Sequence, residues 1–186
     1  VSDLADVSRI EAGRLELNFS AVSIPTIIES VINSTQAMFS EKSQELELNL
    51  PESLPPVWAD QNRIIQIITN LLTNASKYTR EEGLIQVTAD VAPNTWDEKG
   101  APTVLHLKVI DNGIGIPEED QHRIFQQYFR TESGKDVAQG TGLGLNITRY
   151  LVEMQGGLIW FESVFGEGST FHVTIPVAET GVGQEG

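Results

Sequence analysis

An apolar run from Val104 to Ile110, with Lys108 inside it, has to be taken out of water, and its length and flanks predict a buried strand. The strand ends at a carboxylate, Asp111, and the chain then turns through Gly113 and Gly115. Such an end is compatible with a tight turn carrying a solvated acid. It is equally compatible with backbone and carboxylate arranged against a ligand. Two other stretches bear on the choice, Asn70 to Tyr78 and Gly140 to Gly144, and the rest of the chain reads as the scaffold that joins the three.

Val1 to about Ala12 has helical composition and is followed at Leu15, Leu17 and Phe19 by a strand-like alternation. Pro25 suits a first helical turn, and Ile27, Ile28, Val31, Ile32, Met38 and Phe39 predict an amphipathic helix to about residue 43. Leu46, Leu48 and Leu50 alternate as a half-buried strand, and Val57-Trp58 suggests another short one. Asp60 suits the N-cap of a helix whose apolar face is Ile64, Ile67, Ile68, Leu71, Leu72 and Ala75. A strand over Leu84 to Val91, a hairpin loop over residues 92 to 102 and the Val104 strand come next. The polar stretch from Pro117 to about Gly140 is long for a loop, and such segments are commonly functional. A helix from Leu143 to Gln155 stops at Gly156-Gly157, strands follow over Leu158 to Ser163 and Ser169 to Ile175, and Glu179 to Gly186 reads as a disordered tail. This order predicts an α+β sandwich, one mixed sheet covered by helices on one face.

Asn70, Asn74 and Lys77 are one helical turn apart and share the face opposite Leu71, Leu72 and Ala75. Two amides and an ammonium on one stripe offer a carbonyl oxygen to a hard cation such as Mg²⁺ and a positive charge to phosphate; they also suit a merely solvated face. Gly140-Thr141-Gly142-Leu143-Gly144 opens a helix, where backbone N–H groups favour anions. Neither glycine cluster is a dinucleotide fingerprint, because Glu118 and Leu145 stand where the third glycine belongs. Gly134-Lys135 is not a P-loop, because Asp136 follows it.

The net charge of −14 argues against nucleic acid or an anionic membrane as partner, and it demands local cations for any polyanionic ligand. With no cysteine, disulfides and thiolate metal sites are excluded.

Together the three pieces resemble the catalytic ATP-binding domain of sensor histidine kinases, in the superfamily that also holds gyrase, heat-shock chaperone and mismatch-repair ATPases. Asn70-x-x-x-Asn74-Ala75-x-Lys77-Tyr78 is similar to its N box, Asp111-Asn112-Gly113-Ile114-Gly115-Ile116-Pro117 to its first glycine box, and Gly140-Thr141-Gly142-Leu143-Gly144-Leu145 to its second. Phe125 to Arg130 is similar to the F box, with Tyr128 in place of its second Phe, and Ser8 to Gly13 resembles the exit of the dimerisation helix. The implied fold is the Bergerat α/β sandwich, with residues 1–22 as the end of that helix plus a linker and residues 23–178 as the catalytic domain. The resemblance also implies roles. Asp111 would accept from the adenine amino group, Thr170 would assist through water, and Gly115 would let the base approach the backbone. Gly113, Ile116, Tyr128 and the residues of the second glycine box, Gly140 to Gly144, would complete the nucleotide site. Asn74 would ligate Mg²⁺ supported by Asn70, Lys77 would touch phosphate, and Tyr78 would pack beside the nucleotide. Residues 117–140 would be the ATP lid, bringing Arg130 and Arg123 or Lys135 to the phosphates.

The family phosphorylates a histidine in an upstream helix. His106, His122 and His172 lack that context and read as structural. The expectation is therefore the ATP-binding half of a kinase whose acceptor helix lies upstream. The implied partners are the upstream dimerisation and phosphoacceptor domain and a response-regulator receiver domain; the fragment itself would be monomeric, its parent a homodimer, and the domain cytoplasmic. Two alternatives are a superfamily ATPase, which would need Glu rather than Asn70 to activate water, and a nucleotide-binding module without catalysis.

Overall fold

The computed structural model describes residues 3–137 and 142–179, the side chains of 136 and 137 apart. Helix α1 (Asp3–Glu11) closes where Arg14 N–H reaches Arg9 O (2.8 Å) and Gly13 N–H reaches Ile10 O (3.0 Å). Then follow β1 (Phe19–Val22), α2 (Ile24–Glu41), β2 (Glu45–Asn49), β3 (Val57–Asp60) and α3 (Gln61–Tyr78). The second half holds β4 (Leu84–Pro93), β5 (Thr103–Asp111), a 3-10 turn (Glu118–Arg123), α4 (Glu132–Val137), α5 (Gly144–Met154), β6 (Ile159–Val164) and β7 (Gly168–Pro176).

The architecture is the expected α+β sandwich. A five-stranded sheet runs β2-β4-β5-β7-β6, with β2 and β4 parallel and the other pairs antiparallel. β1 and β3 form a separate antiparallel ribbon, tied to the residue just after β7 by the isolated Val57–Val177 bridge. The alternation of Leu15, Leu17 and Phe19 predicts a shared strand, but only Phe19 lies in one. Leu15 is buried outside any ladder, and the segment expected as linker to residue 22 ends in β1, within the fold.

Helix α3 begins where Asp60 Oδ1 accepts from Arg63 N–H (3.1 Å). Ile64, Ile67, Ile68 and Leu72 are fully buried, each stabilising by roughly 1.5–3 kcal/mol. They share one core with Ile28 of α2, Ile147 of α5, and Leu105, Leu107, Val109, Phe171 and Val173 of the sheet. That packing fixes α3 about its axis, so its polar stripe is held rather than free to roll. α1 is docked too: Asp6, buried, accepts from Arg63 Nη1 (3.0 Å) and Gln66 Nε2 (2.7 Å).

The other face of the sheet carries a second, smaller packing unit. Trp96, from the loop after β4, lies 4.7 Å from the His106 ring and 5.2 Å from Trp160. His106 Nε2 and His172 Nδ1 are 2.9 Å apart, so one donates to the other, and both rings are buried. These two histidines are structural, in keeping with their sequence context.

Candidate functional site

One cavity lies between the polar stripe of α3, the end of β5 and the second glycine box. Asn70, Asn74, Lys77 and Tyr78 line it from α3, Asp111 from β5, and Gly115 and Ile116 from the loop that follows. Arg130, Gly142 and Gly144 close it from the other side. Residues distant in sequence thus meet at one place.

The last turn of α3, which carries Asn74, Lys77 and Tyr78, is held at its carbonyl end. Lys42 Nζ donates to Ser76 O and Thr79 O (both 2.6 Å), and Gln44 Nε2 donates to the same two oxygens at 3.0 and 2.8 Å. A cation at a helix C-terminus meets the negative end of the dipole. Burial holds the Lys42 ammonium below its ordinary pKa.

Asp111 Oδ1 accepts from Gly113 N–H (2.9 Å), which bends the chain at once off the strand. Burial pushes its carboxyl up to about 6 from 3.8, against the lowering effect of backbone N–H donors at Gly113 and Ser169. The neighbouring Asn112 faces away and anchors the scaffold, its Oδ1 accepting from Leu84 N–H (2.9 Å) at the start of β4. Gly113 lies over α3, where an added Cβ would come 2.3 Å from Tyr78 O. The resemblance gives Gly115 the role of making room for a base. In the structure its φ is +68° and an added Cβ would lie 2.2 Å from Val164 O, so the β6–β7 hairpin is what requires the glycine.

Thr170, expected at the base, is on the wrong face. Ser169 pairs with Asp111 across β5 and β7 and lines the cavity together with Phe171, whereas Thr170 pairs with Ile110. Alternation along the strand sends residue 170 to the opposite side. Ser163 Oγ donates to Gly168 O (3.0 Å), so at its 2.8 Å contact with Ser169 Oγ it must accept. The Ser169 oxygen keeps its lone pairs for the cavity. Alternation with Phe171, Val173 and Ile175 puts residue 169 on the core side, but that it faces Asp111 is set by the pairing register.

Leu143 is fully buried in the core and does not line the site. The Tyr128 side chain is 59% exposed and outside the lining, with Phe129 in its place; Tyr128 N–H bonds Gly142 O (2.9 Å). Of the other expected lid cations, Arg123 stacks on Phe129 at 4.4 Å and Lys135 pairs with Glu132 at 2.9 Å. Gly140 and Thr141 lie outside the described residues. Asp3 of α1 lines the cavity and has no counterpart among the expected site residues, because only the docking of α1 brings it there.

The cavity therefore has Asp111 and Ser169 at one wall, two amides and a lysine on another, an arginine opposite, and a second acid, Asp3, brought by α1. At Gly144 an added Cβ would meet nothing within 4 Å, leaving backbone open to a ligand. Such a set suits a purine joined to a polyphosphate.

Comparison with known proteins agrees. Residues 59–179 match the family described as histidine kinase-, DNA gyrase B- and HSP90-like ATPases. The adaptive-response sensory kinase SasA of Gloeothece citriformis is 36% identical over 179 residues, 95% of this chain and 43% of that protein. The non-motile and phage-resistance protein of Caulobacter vibrioides is 33% identical over 178 residues, 95% of this chain and 20% of its own length. The chain thus spans less than half the length of these relatives. Among solved structures, the catalytic domain of histidine kinase ThkA superposes with TM-score 0.72 at 29% identity, covering 87% of this chain and 97% of that one. Full-length ShkA in complex with AMPPNP gives TM-score 0.78 at 28% identity, covering 95% and 35%. The chain belongs to the histidine kinase-, DNA gyrase B- and HSP90-like ATPase family, and within it is an ATP-binding catalytic domain of the sensor histidine kinase type.

Proposed function

We propose that this domain transfers the γ-phosphoryl group of Mg-ATP to a histidine on an upstream dimerisation domain, from which a response-regulator receiver would take it. The observation that carries the reading is the meeting of Asp111 with Asn70, Asn74 and Lys77 in one cavity. Asp111, ionised, accepts from the adenine amino group, and the Ser169 oxygen beside it accepts a second bond directly or through water. Lys77 and Arg130 set positive charge at the phosphates, which answers the net charge of −14 with two local cations.

The donor set fits Mg²⁺. No group of three His, Asp or Glu side chains suited to a metal exists among the described residues. Mg²⁺ prefers few protein ligands beside phosphate oxygens and water, and the Asn74 carbonyl supplies one, with Asn70 in support. When bound, the ion would neutralise charge on the phosphates. The chain's own work is to hold the nucleotide and align it, as phosphoryl transfer requires.

Asn70 favours transfer over hydrolysis, since an amide cannot take a proton from water. The ThkA kinase has been solved in complex with the response regulator TrrA, and one chain of that complex superposes on 94% of this chain with TM-score 0.70, which supports the partner class. Among the described residues no helix is long and apolar enough to cross a membrane. A cytoplasmic setting and a dimeric parent belong to the same proposal. The test is to mix the chain with a separately produced acceptor-helix domain and γ-labelled Mg-ATP. Acid-labile label on the acceptor is expected; free phosphate in its place would make the domain an ATPase, and binding alone a signalling module.

A further inference from the structure

Thr148 stands one turn into α5, fully buried behind the cavity wall, and does not itself line the cavity. Its Oγ1 lies 2.7 Å from Gly144 O, the common back-bond of a helical threonine, and 3.2 Å from Asn70 Nδ2. A hydroxyl has one hydrogen, and a carbonyl oxygen can only accept, so that hydrogen goes to Gly144. What Oγ1 offers Asn70 is a lone pair. The Asn70 atom facing it must therefore be the donor, and the amide is held with its NH₂ toward α5. Oδ1 makes no hydrogen bond among the described residues, and Asn70 lines the cavity.

We propose that Thr148 is a positioning residue for phosphoryl transfer: it fixes the Asn70 amide so that the carbonyl oxygen, not the amide nitrogen, is available to the metal and its water at the phosphate end. The selection is electrostatic. An amide free to turn over would offer an NH₂ to a cation as readily as an oxygen, and a hard cation binds oxygen only. The device also links two parts of the site. Gly144 belongs to the second glycine box and Asn70 to the α3 stripe, and one buried hydroxyl joins them. A structural role alone would require only a side chain of the right volume, which valine provides.

The inference rests on reading the cavity as a Mg-nucleotide site, and the test separates the two. Thr148→Val keeps shape and removes the acceptor; Thr148→Ser keeps the acceptor; Thr148→Ala is the second variant should valine prevent folding. Calorimetry with the non-hydrolysable analogue AMPPNP, with and without Mg²⁺, reads the affinity gained from the ion. In the valine variant, metal-free affinity is expected to stay within about twofold, while the Mg²⁺-dependent gain falls about tenfold, the usual scale for losing a group that orients a metal ligand. Serine is expected to restore it. Independently, the Asn70 side-chain NH₂ resonances of the nucleotide-free protein should shift in the valine variant and not in the serine one. A full Mg²⁺ gain in a folded Thr148→Val or Thr148→Ala variant overturns the positioning role. Absence of any Mg²⁺ gain in the unaltered protein overturns the metal reading itself, and the positioning role with it.

Discussion

Asp111 and Ser169 stand opposite each other on β5 and β7, and this register sets the environment of the carboxylate. The pairing turns both side chains toward the cavity and leaves Thr170 on the far face. It also places Ser169 N–H among the donors that offset the burial of the acid.

Because the Asp111 carboxyl is pushed up to about 6, its charge is lost within an accessible pH range. Only the ionised form accepts fully from an adenine amino group, so affinity should decline as pH falls through about 6. Adenosine is the appropriate probe, having no phosphate to titrate. Asp111→Asn should flatten the profile, and Asp111→Ala should weaken ATP binding by about 1.5–3 kcal/mol. The stability effect has the opposite sense. Native Asp111 binds its proton more tightly than the unfolded chain does, so stability declines as pH rises from 3.8 to about 6. Denaturant titrations in mildly alkaline buffer should find Asp111→Asn at least as stable as the parent.

Asn74 is half-buried on the polar stripe and touches the cavity, so Asn74→Ala should change the melting temperature little. Transfer to a supplied acceptor domain should nevertheless fail. Wild-type rates in that assay would remove Asn74 from the metal site.

Gly115→Ala should destabilise by about 1–3 kcal/mol, because φ is +68° and the new methyl would press on Val164 O. Hydrogen exchange should show the loss first in the β6–β7 hairpin, whose Gly166 N–H bonds Ile114 O at 2.7 Å. Uniform loss across the domain would mean that the hairpin is not where the strain falls.

Burial holds His106 below the ordinary histidine value of 6.5, assisted by His172 and Lys108 and opposed by Asp90. Glu162 lies at the same face, 3.2 Å from His172 Nε2. The unfolded chain therefore takes up the proton first, and stability should fall as pH drops below 6.5. Tryptophan fluorescence can follow the change through Trp96 and Trp160. A His106→Phe variant with an unaltered pH profile would show that the effect originates elsewhere.

Lys42→Met should cost about 2 kcal/mol, on the scale of hydrogen bonds to a charged group, since Ser76 O and Thr79 O lose a donor at once. It should also weaken nucleotide binding, although Lys42 does not line the cavity, by loosening the turn that bears Lys77 and Tyr78. Unchanged binding in the variant would mean that Gln44 holds that turn alone.

Local patterns were enough for the sequence to determine the four longer helices, most strands and the residues of α3 that share a face, but not the short helical turns between residues 117 and 140. Periodicity is a property of neighbours along the chain, and Ile64 through Ala75 carry it in full. The amides on the opposite stripe and the acid at the end of β5 were legible for the same reason. What only tertiary structure decided depends on registers and contacts between distant segments. The choice of Ser169 over Thr170 follows from strand pairing, the demand on Gly115 from a hairpin about fifty residues away. Leu143 and Tyr128 sit in motif-like stretches, yet packing sends one into the core and the other to solvent. The buried hydroxyl of Thr148 reaches Asn70 only because α5 lies against α3, a contact between residues 78 positions apart that no local pattern encodes.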